Sequence, residues 1–141
     1  MRVAQINVTY GKADSTGRNV KELHEFFLER GVDSHVYVTT VNDCSEIDKR
    51  IHFFSSQQDK QNHAFLSRLT GMQGYFSYFS TQNLISELNE LKLDVVMLHV
   101  LHSNCMNFPS LFAFLARNHI VTIVVLHDCW YYTGHCCHYT S

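Results

Sequence analysis

Apolar positions along the chain keep two different rhythms. Short, mostly apolar runs stand at Val3–Val8, His35–Val38, Asp94–Leu98 and Ile120–Leu126. Each is too short for a helix and most are rich in β-branched residues, so each predicts a strand. Between them, apolar residues recur every three or four positions. Val20, Leu23, Phe27 and Leu28 form one such stripe, Leu84, Ile85, Leu88 and Leu91 a second, and Leu111, Phe112 and Leu115 a third. That spacing places each set on one face of a helix. Gly31 predicts the end of the first helix. Pro109 suits the first turn of the last, where its missing donor is harmless. Tyr10–Gly17 and Asn42–Glu46 read as loops. Residues 50–80 carry a weaker signal, with Ile51–Phe54 as a short strand and Asn62–Leu69 as a helix. Gly71-Met72-Gln73-Gly74 and the aromatic stretch Tyr75–Phe79 follow neither rhythm.

Strands alternating with helices predict parallel βαβ units. The fold class is therefore α/β, a mostly parallel Rossmann-like sheet with flanking helices. Continuous apolar strands predict a sheet covered on both faces. No internal repeat or linker divides the chain, and residues 1–141 read as one domain.

Composition sharpens this picture in three ways. The chain is 45% hydrophobic and 17% charged, a globular balance. Its net charge of -2 gives no basic field for nucleic acid. The ten histidines add positive charge just below neutrality. Five cysteines, an odd number, with no signal-peptide pattern and no apolar run long enough to cross a bilayer, predict a cytoplasmic chain with thiols rather than bridges.

In open parallel sheets, ligands sit beyond the carboxyl ends of the strands. Three strand ends here deliver polar groups to that edge. The first runs into Tyr10-Gly11 and the loop to Arg18, the 94–98 strand into His99 and His102, and the 120–126 strand into His127 and Asp128. Ser15, Thr16, Gly17 and Arg18 head a helix whose amides suit phosphate, or else form a plain turn with Gly17 serving packing. The histidines suit proton transfer near neutrality, acceptor binding or metal ligation. Neighbours at a strand end point opposite ways, so His127 and Asp128 pair poorly with each other, and Asp128 suits a cap on the following turn. Cys129, His135, Cys136, Cys137 and His138 have thiolate and imidazole donors for zinc, but not its usual spacing.

Two segments carry a resemblance. "MRVAQINVTYGKADSTGRNVKELHEFF" and "DVVMLHVLHSNCMNFPSLFAFLARNHIVTIVVLHDCWYYTGHC", in that order, resemble the N-terminal part of bacterial family 4 glycosyltransferases. The likeness is to the group that builds colanic-acid-type, capsular and O-antigen polysaccharides. STGR at 15–18 and LHDCW-x-x-TGHC at 126–136 are its most specific parts. The resemblance implies a GT-B enzyme, two Rossmann-like domains facing a cleft, with the acceptor on the N-terminal side. It implies a retaining transferase needing no metal and no cofactor. It places Ser15, Thr16, Gly17 and Arg18 near the donor diphosphate, and His127 with Asp128 at the reacting sugar. His99, His102 and Trp130 fall on the acceptor side.

The pattern departs from that family in three respects. The family's paired glutamates do not occur here, and its chains run well past position 141. Lys12-Ala13-Asp14 also stands where a more glycine-rich run is usual. The expectation is an N-terminal domain without its donor-binding half, inactive alone. Its expected partners are a nucleotide-sugar donor and a saccharide or lipid-linked acceptor once a C-terminal domain is present. Peripheral association with the inner cytoplasmic membrane, self-association through an open sheet edge and no nucleic acid complete the set. Two other readings remain open: a small Cys/His metal-binding protein and a non-catalytic binding module.

Overall fold

The computed structural model describes residues 1–42 and 47–133. Five strands form one all-parallel sheet: β1 (Arg2–Ile6), β3 (Asp33–Val38), β5 (Ile51–Phe53), β6 (Val95–Leu98) and β7 (Val121–Val124), in the order β5-β3-β1-β6-β7. Two three-residue strands, β2 (Thr9–Gly11) and β4 (Thr40–Asn42), pair separately and in parallel. The helices are α1 (Ser15–Glu29), α2 (Gln57–Thr70), α3 (Tyr78–Leu91), α4 (Phe108–Arg117) and the short α5 (Trp130–Thr133). This is the expected Rossmann-like α/β architecture.

Alternation along the strands builds two cores. Tyr37 with Ala4, Ile6, Val96 and Leu98 faces Leu84 and Leu88 of α3 and Leu111 and Leu115 of α4. Val36 and Val38, pointing the other way, pack with Val20 of α1. The capping chemistry follows local sequence. Asp14 accepts the Gly17 amide at the head of α1, Ser56 accepts the Asp59 amide at α2, and Asn107 accepts the Ser110 amide at α4. Gly31 follows α1 at φ +71°, as its place after the last turn predicted.

Several expectations need correction. The first strand ends at Ile6 rather than Val8, although the Asn7 amide still donates to Tyr37 O at 3.0 Å. The 10–17 loop begins inside β2, and Asn42 closes β4 rather than opening a loop. Tyr78 and Phe79 open α3, so the aromatic stretch is partly helical. The largest departure is β7. All four of its residues are exposed, Val121 at 58% and Ile123 at 44%. Its outer edge and much of both faces are bare among the described residues, so this apolar strand is not covered as its composition predicted. Asp43–Glu46, the rest of that expected loop, lies outside the described residues.

Candidate functional site

The paired strands β6 and β7 end side by side, with Leu98 opposite Val124. The chain beyond each end supplies the polar groups. His99 follows β6 directly and is held by its amide, which donates to Ile6 O at 3.0 Å. Val100 donates its amide to Asn7 Oδ1 at 3.1 Å, and Asn7 Nδ2 donates to Thr9 O at 2.7 Å. Fully buried Asn7 therefore ties the end of β1 to the chain leaving β6. Tyr131 of α5 donates its hydroxyl to His99 O at 2.8 Å, so α5 holds the same turn.

Two crossed pairs result. His99 Nδ1 and His127 Nε2 lie 3.0 Å apart with stacked rings, so one hydrogen is shared between two facing nitrogens. His102 Nε2 lies 2.8 Å from Asp128 Oδ2, while Asp128 Oδ1 accepts the Trp130 amide at 2.9 Å. His127 and Asp128 do not pair with each other. Each bonds a histidine from the neighbouring strand end, and Asp128 also caps α5, the role its position suggested.

Electrostatics separate the two pairs. Burial, aided by the nearby His127, lowers His99 to about 4, so its ring is neutral at physiological pH. Its Nε2 is buried and has no hydrogen-bond partner among the described residues. Burial pushes the Asp128 carboxyl up, but the Trp130 amide and the His102 ring outweigh it, leaving Asp128 below the usual carboxylate range. An ionised carboxylate thus orients the His102 imidazole, an arrangement suited to binding or moving a hydroxyl proton.

Beside His99 and His127 opens a cleft of about 380 Å³. Asn19, Glu22, Leu23 and Phe26 of α1 form one wall; His99, Val125 and His127 form the other. Ser15, Thr16, Gly17 and Arg18 stand one turn earlier on α1 and do not line it. The helix head they form already holds an anion, the chain's own Asp14. Asp14 Oδ1 takes the Gly17 amide at 2.7 Å, the Thr16 hydroxyl at 2.9 Å and the Thr9 hydroxyl at 3.0 Å. A diphosphate there would compete with this carboxylate. Arg18 is exposed and donates to Lys12 O at 3.2 Å.

Trp130 is only 8% exposed. Its ring packs 5.6 Å from His102 and 5.1 Å from Phe108, so it backs the His102 ring and offers little surface to a ligand. Sequence reasoning missed Asn7, Asn19, Glu22 and Tyr131. Only Asn7 left a signal, as a polar residue inside an apolar run.

Among the described residues, no three His, Cys, Asp or Glu side chains converge as a metal site requires. Cys129 is a half-buried free thiol, and His135, Cys136, Cys137 and His138, the other four donors of the zinc reading, lie outside the described residues. Cys105 is buried, which pushes its thiol up to about 12 and makes it a poor nucleophile. Compared with known proteins, the chain matches no family model, no curated sequence and no solved structure.

Proposed function

We propose that this chain forms the acceptor-side half of a GT-B glycosyltransferase, one that moves a sugar from a nucleotide-sugar donor to a growing cell-surface polysaccharide. One observation carries the reading. The strings HVLH at 99–102 and LHDCW at 126–130, which hold much of the resemblance, meet at the carboxyl edge of a parallel sheet as two interlocked pairs. Ordinary packing histidines do not require such a meeting, whereas a substrate edge does.

In this reading the acceptor hydroxyl oxygen bonds to the anomeric carbon of the donor sugar. The bond from that carbon to the diphosphate oxygen breaks on the same face, and the hydroxyl proton leaves with the diphosphate. No protein nucleophile takes part. His127 lies nearest the reacting sugar, with neutral His99 holding its ring. His102, oriented by Asp128, holds acceptor hydroxyls. Ser15–Arg18 meets the diphosphate only once Asp14 yields the helix head. Transfer depends on holding donor and acceptor together, and the described residues form one of the two walls this takes.

The test has two arms. Saturation-transfer NMR of the 141-residue chain with capsule-type oligosaccharides should show binding that His102→Ala and Asp128→Ala abolish. The same chain, given nucleotide-sugars and those oligosaccharides, should show no turnover. Turnover by the chain alone would refute the division of labour. Binding that survives both substitutions would refute the assignment of the site.

A further inference from the structure

α2 has 14 residues and buries only His63. No helix among the described residues is long and apolar enough to cross a membrane, α2 included. What sets its place is the carboxyl edge of the sheet. Gln73, just past the helix end, donates Nε2 to His102 O at 3.2 Å. Gly74 O takes the Phe108 amide at 2.8 Å, and Tyr75 O takes Asn107 Nδ2. His63 Nε2 accepts the Gly74 amide at 3.3 Å, which ties the helix itself to this seam. The last turn of α2 is thereby held against the chain that carries His102.

Between the two opens a pocket of about 250 Å³, lined by Ala64, Ser67, Arg68 and Gly71 at the helix end and by Gln73 and Asn104. Asn104 belongs to the same turn as His102, two residues on. The Gln73 amide has one orientation, because a flipped one would turn its oxygen towards the His102 carbonyl. Its Oε1 is buried and has no partner among the described residues. Arg68 is exposed, and its guanidinium makes no hydrogen bond or ion pair with a described residue.

The segments that build the pocket supply no carboxylate to answer that charge. Residues 60–86 and 99–107 contain neither Asp nor Glu. Asp59, just outside the first segment, accepts from Ser55. Asp128, across the His102 ring, is held by that ring and by the Trp130 amide. Lys60, the other cation of 60–86, donates to Thr39 Oγ1 at 3.0 Å. Arg68 is thus the free cation of the pocket, and its planar fork matches a ligand carboxylate. The pocket also meets the C-terminal end of α2, whose open carbonyls disfavour anions. A single guanidinium working against that end suits the single charge of a carboxylate better than the nearly double charge of a phosphate.

We propose that this pocket receives the acceptor sugar next to the one at His102, and that this sugar is acidic, with its carboxylate on Arg68 and a ring hydroxyl on Gln73 Oε1. The proposal rests on the glycosyl-transfer reading and names the acceptor class within it. The probes are cellobiuronic acid and cellobiose, which differ only by a carboxylate in place of a hydroxymethyl group. Chemical-shift titrations of the whole chain should show the acid bound about fivefold tighter at low salt, a preference that shrinks as salt rises. Arg68→Gln should bring the ratio to about one and change cellobiose affinity by less than about twofold. Its side chain is exposed, so the variant should fold, with unchanged circular dichroism. His102→Ala should weaken both sugars alike. Equal binding of the two sugars by wild type, or a preference that survives Arg68→Gln, overturns the acidic subsite and leaves the glycosyl-transfer reading standing. Binding of neither sugar overturns the subsite too, and if capsule-type oligosaccharides also fail to bind, that reading falls with it. Displacement of cellobiuronic acid by an equal concentration of inorganic phosphate overturns the proposal as well, and assigns the pocket to a phosphate.

Discussion

Neutral, buried His99 makes a quantitative demand on stability. In an unfolded chain a histidine takes up its proton near 6.5, but here burial lowers His99 to about 4. Between those values the unfolded chain holds a proton that the folded one refuses. Stability is therefore full above about pH 6.5 and falls as pH drops towards 4. The window is about 2.5 pH units, and each is worth about 1.4 kcal/mol, so His99 alone costs the fold about 3 kcal/mol at pH 4. His24, His35 and His63 are lowered chiefly by burial as well and add to the same slope. The perturbation is His99→Asn, which removes the titrating ring and keeps a polar atom near the Nδ1 position. Urea unfolding, followed by circular dichroism from pH 7 to pH 4, gives the stability of each form. The variant should be weaker at pH 7, because its truncated ring leaves a cavity. Its further loss on acidification should be smaller than wild type's by about 3 kcal/mol. Acid losses equal within about 1 kcal/mol would refute the assignment, as would a ring titration of His99 near 6.5 in NMR.

Four further outcomes are expected. Asp14→Ala removes the acceptor for the Gly17 amide and two hydroxyls, and should cost about 2 kcal/mol in thermal melts; Asp14→Ser, which keeps a cap, should cost less than half of that. Gly74 sits at φ +80°, and a Cβ there would meet Phe108 Cδ2 at 2.1 Å, so Gly74→Ala should destabilise by at least about 3 kcal/mol in urea unfolding. Asp128→Asn keeps the acceptor for the Trp130 amide but loses the charge facing His102, so it should weaken oligosaccharide binding in saturation-transfer NMR while circular dichroism stays unchanged. Ile123→Lys places a charge on bare β7, and light scattering should show less concentration-dependent association than wild type.

The sequence made some of this legible and hid the rest for identifiable reasons. The stripe Val20–Leu28 and the run at 94–98 were readable because burial imposes its period on composition. Strands β2 and β4 escaped because three residues carry no period, and Thr40-Val41-Asn42 is as polar as a turn. The exposure of β7 was hidden because Val-Thr-Ile-Val reports apolarity, not what lies against it. The histidines were legible as strand-end residues, but not their pairing. That depends on the β6–β7 pairing, which ends with Leu98 opposite Val124, and on the turns beyond it, which bring His127 to His99 and Asp128 to His102. Ser15–Arg18 was readable as a helix head. Asp14, one position before Ser15, has the place and the side chain of an N-cap, but the phosphate reading of the loop passed over it.

The place of β1 at the middle of the sheet has a consequence for how the chain is made. β1 emerges from the ribosome early, and β3 is available to it soon afterwards. Its other neighbour, β6, comes much later: the contact closing that side, Arg2 N–H to Asp94 Oδ2, spans 92 residues. At about 5–20 residues per second, one edge of β1 waits roughly 5–20 s for its partner. During that interval Val3, Ala4 and Ile6, fully enclosed in the finished fold, lack much of their cover. A nascent chain in this state offers an open apolar strand edge to chaperones and to its neighbours on the same message. Slower translation between β3 and β6 should therefore lower the yield of folded protein more than slower translation elsewhere.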